Sequence, residues 1–336
     1  MKKIRVAING FGRIGRLCLR KMIEDETFDV VVVNDLTDAR QLAHLLKYDT
    51  SHRNFMIDEI TSDDNNIYIK DKQIKILSET TPANLPWKEL NIDLVFECTG
   101  RFTTKEKASE HISAGAKKVI ISAPAKGDIK TIVYNVNDTI LDGTEQIISA
   151  ASCTTNCLAP IAKVLDDNFK IVKGFMTTVH AVTNDQVTLD IAHKKGIDAR
   201  RGRAASFNII PSSTGAAKAV GLVLPNLKGK LDGSALRVPT STGSVVDLTV
   251  ELERNTTVEE INNVLLNNVS ETLGYTTDPI VSSDVIGSSY GSLIDSGLTS
   301  ILEVDGKQLV KVVSWYDNEM GYTVQMIRTA KKWLSL

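Results

Sequence analysis

The sequence is short of the features that mark specialised chains. It has only 4 cysteines in 336 residues, with no CxxC pair and no framework spacing, which excludes a disulfide scaffold and points to a reducing compartment. It has no HExxH, no CxxC and no clustered Asp/Glu motif, so nothing recommends a metal site. It lacks an excess of either charge: 39 Lys and Arg stand against 41 Asp and Glu, which excludes a basic field for nucleic acid and a polybasic tail for a membrane. It lacks an apolar run near the roughly 18 residues of a membrane span, and its first one, Ile4 to Ile8, stops at Asn9-Gly10, too early for a signal core. Repeats and low-complexity tracts are missing too. What is present, 42% hydrophobic and 24% charged residues, describes an ordinary soluble chain, cytoplasmic by its unpaired cysteine spacing, and long enough for two domains at roughly 150 residues each.

The first third alternates β-rich runs with helical stretches, the rhythm of βαβ units around a parallel sheet. Lys3 to Ile8, Val30 to Val33, Asp93 to Glu97, Lys117 to Ser122 and Gln146 to Ser149 read as strands, and Arg13 to Asp25 as a helix. Thr103-Thr104-Lys105-Glu106 is a capping box that opens another helix, ending near Gly115. Later the strands lengthen. Val172 to Val179, Leu236 to Glu253 and Gln308 to Trp315 suggest a mostly antiparallel sheet covered on one face by helices. One such helix is Val258 to Leu273, capped by Thr257 to Glu260 and stopped by Gly274; another, amphipathic, follows Asp317. The fold class expected is α/β, a Rossmann-type domain followed by an α+β domain.

Two stretches carry chemistry. Gly10-Phe11-Gly12-Arg13-Ile14-Gly15 follows a strand and opens a helix, and Asp35 lies at the end of the valine run. Gly10 permits the tight turn, Gly12 the approach of a pyrophosphate and Gly15 close packing of helix on strand. The helix N-terminus offers N–H groups to the phosphates, and Asp35 suits an unphosphorylated ribose, hence NAD rather than NADP. The second stretch is Ser152-Cys153-Thr154-Thr155-Asn156-Cys157, ahead of a helical pattern from Leu158 to Phe169, with Pro160 read in the first turn. A thiol at a helix N-terminus among hydroxyls has its pKa lowered, so Cys153 is the candidate nucleophile and Cys157, one turn on, a packing residue. Among the five histidines, His180 ends a strand before a long polar stretch and is the candidate base, although a lone strand-end histidine is more commonly a satisfied interior residue.

Asn9 to Arg16, Ala151 to Asn156, Ser213 to Lys218 and Trp315 to Glu319 resemble, in order along the chain, the phosphorylating glyceraldehyde-3-phosphate dehydrogenases. The resemblance implies that Cys153 adds to the aldehyde of glyceraldehyde 3-phosphate, that His180 moves the proton, and that inorganic phosphate cleaves the resulting thioester. It implies that Thr183 and Arg237 hold the substrate's C3 phosphate and that Ser152, Thr154, Thr214, Gly215 and Arg201 hold the attacking phosphate. For the cofactor it implies Arg13 and Ile14 at the pyrophosphate, Thr99 and Ser122 along the middle, and Asn318 at the nicotinamide carboxamide. Residues 1–152 and 317–336 then form a discontinuous NAD-binding domain and 153–316 the catalytic domain, in a homotetramer. The sequence departs from the family at Thr80-Thr81 before Pro82, at Ile191-Ala192 before His193, and in a longer Lys194 to Arg203 segment with Gly202. Erythrose-4-phosphate dehydrogenase is the nearest enzymatic rival, against which Ser213 to Ala216 speaks. An NAD-binding or adhesion protein with an inert thiol is the rival of another class.

Overall fold

The Val- and Ile-rich runs early in the chain become strands of one sheet. The computed structural model describes residues 3–193 and 196–336, which leaves Lys194 and Lys195 of the lengthened segment outside the described residues. The chain divides into two units, one running to Ile132 and including Asp138–Ala151 and Met326–Leu336, the other Val133–Asn137 with Ser152–Gln325.

In the first unit the strands are β1 (Ile4–Asn9), β2 (Phe28–Asn34), β3 (Ile60–Ser62), β4 (Asn66–Ile69), β5 (Lys72–Leu77), β6 (Leu94–Glu97), β7 (Lys118–Ile121), β8 (Lys130–Thr131) and β9 (Ile147–Ser149). They lie in the order β3-β4-β5-β2-β1-β6-β7-β9-β8. Pairing is parallel from β5 to β8, and β3 and β4 add an antiparallel edge. Because β2 lies on one side of β1 and β6 on the other, the winding reverses between β1 and β6. The crevice beyond the carboxyl ends of those strands is where such a sheet binds ligands. Helix α1 (Arg13–Met22) buries Leu17, Cys18, Leu19 and Met22 and stops three residues before the expected Asp25. Helix α2 (Ala39–Lys47) is capped by Asp38. The cap of α3 (Lys105–Ser113) is Thr104, whose hydroxyl accepts from Lys107 N–H, so the expected box from Thr103 to Glu106 gives way to a simple cap one residue later, with Lys107 at the third position.

The second unit's strands are β10 (Ile171–His180), β11 (Ile210–Ser213), β12 (Leu231–Arg237), β13 (Ser244–Leu252), β14 (Leu273–Thr276), β15 (Ser292–Val304) and β16 (Lys307–Tyr316), in the order β11-β12-β10-β13-β16-β15-β14. Four of its pairings are antiparallel, and β10 with β12 and β14 with β15 are parallel. The single strand expected from Leu236 to Glu253 is two, because Pro239 cannot donate to a ladder and Gly243 turns the chain at φ +88°. Helix α4 (Cys153–Phe169) starts five residues before Leu158, so Pro160 lies past its first turn and cannot donate to the Asn156 carbonyl. Helix α5 spans Ala216–Val223. Helix α6 (Val258–Asn267) has the expected Thr257 cap but does not reach Leu273: the Ser270 hydroxyl turns the chain by accepting from Thr272 and Leu273 N–H. Gly274 is therefore in a strand, where a Cβ would stand 2.8 Å from the Tyr290 ring. Helix α7 (Met320–Leu334) closes the chain.

Candidate active site

The glycine turn between β1 and α1 has the shape its residues predict. Gly10 takes φ +91°, and a Cβ there would lie 2.8 Å from the Thr99 nitrogen. At Gly15 a Cβ would meet the Gly10 carbonyl oxygen at 2.1 Å, which is why only glycine lets α1 pack on the turn. Gly12, by contrast, faces open space, with nothing within 4 Å of its would-be Cβ. It caps α1 without a side-chain hydrogen bond, so the helix's first N–H groups point at whatever occupies that space. Asp35 Oδ2 accepts from Phe11 N–H at 2.7 Å and Oδ1 from Thr37 N–H at 3.1 Å, which aims the carboxylate over the turn.

Gly10, Gly12, Asp35 and Thr99 line one cavity of about 300 Å³, together with Asn34, Glu79 and Thr80. The Arg13 guanidinium turns away from the cavity to a bidentate pair with Asp49. Burial would raise the Asp49 carboxyl, but hydrogen bonds from His52 and Arg13 outweigh it and hold it well below the usual carboxylate range. Ile14 follows in the first turn of α1. Ser122, at the end of β7, lies outside the lining and donates its N–H to the Glu97 carbonyl at 2.9 Å.

Beneath this cavity lies a buried polar network that the sequence did not announce. Glu97 accepts from Asn9 Nδ2 at 2.6 Å, from Thr99 N–H at 2.8 Å, from the Thr99 hydroxyl, and from His111 Nε2 at 3.0 Å. Trp87 Nε1 sits 2.9 Å from His111 Nδ1. An indole N–H only donates, so His111 is neutral, with its one proton on Nε2 and directed at Glu97. Asn9 Oδ1 accepts in turn from Asn34 Nδ2 at 2.7 Å, which ties the ends of β6, β1 and β2 together.

The second unit places the candidate nucleophile and base. Ser152 caps α4, its hydroxyl accepting from Thr155 N–H at 3.2 Å, and this places Cys153 as the first helical residue. Met176, Thr178 and His180 alternate inward along β10 while Phe175 faces out. That parity brings His180 Nε2 to 3.4 Å from Cys153 Sγ. Parallel register sets Arg237 of β12 beside His180. His180 Nδ1 is 2.7 Å from the Ala181 carbonyl and 2.9 Å from Arg237 Nη1. Only a donated proton tolerates the shorter contact, and Arg237 Nη1 has other acceptors, the Ala181 carbonyl and Thr183 Oγ1, both at 3.0 Å. The proton therefore sits on Nδ1, and the Nε2 lone pair faces the sulfur. Burial, then the Arg237 charge, lowers the imidazole pKa to about 3.

The thiol differs from expectation. Burial pushes Cys153 up, and the opposing pulls of Arg237, of Thr154 and of the helix's own N–H do not cancel it. Cys157, deeper in α4, is pushed up to about 12 by burial and serves as packing. Tyr316, missed in the sequence, stands behind the pair. Its hydroxyl bonds Thr154 Oγ1 at 2.9 Å and Thr178 Oγ1 at 2.8 Å, and its ring meets His180 edge-on with centroids 5.9 Å apart.

Thr183 and Arg237 are joined directly, and Arg201 is paired with Asp185, which also takes the Thr183 hydroxyl. Arg201 Nε donates to Ser212 Oγ at 3.4 Å, on the strand leading to Thr214 and Gly215 at the start of α5. Thr214 Oγ1 accepts from Ala216 N–H at 3.2 Å, and Gly215 opens onto empty space. Asn318 is buried, its Oδ1 accepting from Ser244 at 2.8 Å and Thr242 at 3.3 Å, which turns its NH2 the other way.

Among the described residues no group of three or more His, Cys, Asp or Glu could hold a metal, and no helix is long and apolar enough to cross a membrane. Residues 4–105 match the family model "Glyceraldehyde 3-phosphate dehydrogenase, NAD binding domain" and residues 152–318 its "C-terminal domain" counterpart. The chain is 62% identical to a glyceraldehyde-3-phosphate dehydrogenase of Clostridium pasteurianum, 59% to one of Clostridium acetobutylicum and 54% to one of Streptococcus pyogenes, covering 97% of both chains in each case.

Proposed function

This chain belongs to the glyceraldehyde-3-phosphate dehydrogenase family, and from that premise we propose which of its residues carry the reaction. The enzyme oxidises D-glyceraldehyde 3-phosphate with NAD and inorganic phosphate to 1,3-bisphosphoglycerate, a step of glycolysis. The observation that carries the assignment is the Cys153–His180 pair, with the Nε2 lone pair 3.4 Å from the sulfur.

Cys153 Sγ adds to the aldehyde carbon, and its proton passes through His180 Nε2 to the former carbonyl oxygen. The backbone N–H groups of the first turn of α4 stabilise negative charge on that oxygen while it develops. His180 then removes the hydroxyl proton as the carbon is oxidised, which leaves a thioester on Cys153. NAD, when bound, supplies the acceptor for the departing hydride. The exposed turn at Gly12, the uncapped α1 terminus and Asp35 fit its pyrophosphate and adenosine ribose. Arg13 and Ile14 contribute backbone N–H, Thr99 and Ser122 the strand ends, and Asn318 its NH2 for the carboxamide.

Thr183 and Arg237 hold the substrate's phosphate. Arg201, Thr214, Gly215 and the N-terminal turn at Ser152 and Thr154 hold the phosphate that attacks the thioester, and the released sulfur regains its proton from His180. The chain works in the cytoplasm, in keeping with four free cysteines, and as a homotetramer. Phe175, Phe207 and Leu222 expose 71%, 79% and 66% of their surface in the second unit, which supports burial against further copies. In the test, NADH absorbance rises with NAD, glyceraldehyde 3-phosphate and phosphate. Turnover at the same rate without phosphate or arsenate would overturn the assignment. Erythrose 4-phosphate and NADP in parallel arms check substrate and cofactor choice, and a monomer mass by sedimentation would refute the tetramer.

A further inference from the structure

We infer that Asp185 is an internal competitor for the anion sites, its carboxylate holding Thr183 and Arg201 where phosphate groups bind and giving way when they arrive. The inference rests on the reading of Thr183, Arg201 and Arg237 as phosphate contacts.

Asp185 is placed by a tight turn. Gln186 N–H donates to the Thr183 carbonyl at 3.0 Å, and the Gln186 side-chain oxygen accepts from Thr183 N–H at 3.4 Å, which folds Asp185 back over Thr183. One carboxylate oxygen takes the Thr183 hydroxyl and the other pairs with Arg201 Nη1. Thr183 Oγ1 accepts at the same time from Arg237 Nη1 at 3.0 Å. A single carboxylate thus engages one contact of each proposed anion site, in a line running Arg237, Thr183, Asp185, Arg201.

Two guanidinium groups so near each other call for an anion. Burial, and next the charge of Arg237, lowers the Arg201 pKa. A guanidinium that donates to a carboxylate presents the same N–H donors to a phosphate oxygen. The Asp185 side chain is 47% exposed, so it can leave for water without burying a charge. Exposed ion pairs of this kind are weak. A phosphate bearing nearly two charges displaces such a pair readily, and the returning carboxylate helps expel it. An anion that must bind and leave in every cycle is served by a competitor of this strength.

The test uses the full-length enzyme with Asp185→Asn, Asp185→Glu and Arg201→Gln. In Asp185→Asn the KM for inorganic phosphate falls about two- to fivefold, the range set by a weak exposed pair. The KM for glyceraldehyde 3-phosphate falls in the same direction, whereas that for unphosphorylated glyceraldehyde, measured at saturating phosphate, does not change. Asp185→Glu keeps the charge and restores the wild-type values. A merely structural role would move all three substrates together, and that result overturns the inference. An unchanged or raised phosphate KM in Asp185→Asn, with a raised one in Arg201→Gln, overturns the inference alone. An unchanged phosphate KM in Arg201→Gln removes Arg201 from the phosphate site and takes the inference with it.

Discussion

Replacing His111 by alanine probes the buried network under the cofactor cavity. His111 is wholly buried and has two fixed duties, accepting from the Trp87 indole at 2.9 Å and donating to Glu97 at 3.0 Å. Alanine leaves the indole N–H unpaired, at about 1–3 kcal/mol, and removes one donor from a buried carboxylate, at roughly 1.5–3 kcal/mol. Glu97 keeps Asn9 and both Thr99 donors, so its charge is not abandoned. The sum, about 2.5–6 kcal/mol, corresponds to a fall of roughly 5–20 °C in the thermal midpoint of the cofactor-free enzyme, followed by tryptophan fluorescence. His111→Gln, which retains an acceptor and a donor, should lose less than half as much. Because Glu97 also fixes Thr99 and Asn9 at the cavity wall, the alanine variant should raise the KM for NAD more than it lowers kcat. A midpoint within about 2 °C of wild type would show that the indole and carboxylate find other partners, and would refute the assigned tautomer and network.

Three further outcomes follow from the geometry. Gly12→Ala should fold normally yet bind NAD at least tenfold more weakly, because its methyl enters the space meant for the pyrophosphate, while Gly15→Ala, 2.1 Å from the Gly10 carbonyl, should also lose stability; equilibrium titration and thermal scans separate the two. Tyr316→Phe leaves Thr154 and Thr178 without a shared partner and should destabilise the protein by about 1–3 kcal/mol, with His180 still packed edge-on and most of kcat retained. His180 sits at about 3 in the folded state against an ordinary 6.5, so the unfolded chain binds the extra proton between those values and stability falls as the pH drops through them. That slope, on the order of 1 kcal/mol per pH unit, should be absent from His180→Gln in midpoint-against-pH curves and reduced in Arg237→Gln.

Much of this was legible because the signals are local. The glycines at 10, 12 and 15 act within one strand-turn-helix, and each has a single steric reason visible in the spacing. Cys153 could be placed at a helix start because it stands just ahead of the helical apolar pattern, and Ser152 caps that helix. The direction of its pKa could not, since burial is set by chain segments far away in sequence. The Cys153–His180 contact depends on the parity of β10, and the place of Arg237 on parallel register with β12. Tyr316, Glu97, His111 and Trp87 carry no local mark, because each works only through residues that the fold brings to it. Strand propensity ran through Pro239 and Gly243, and helical propensity through Ser270, where single residues turned the chain against their neighbours.

The most direct test of the account is a rapid-mixing measurement in phosphate-free buffer, with NAD and glyceraldehyde 3-phosphate in excess. If Cys153 and His180 form a thioester that only phosphate discharges quickly, NADH appears in a burst of one equivalent per active site and then stalls. Turnover resumes when phosphate is added, and Cys153→Ser shows no burst. Continuous turnover without phosphate, or a burst that survives in Cys153→Ser, would contradict it.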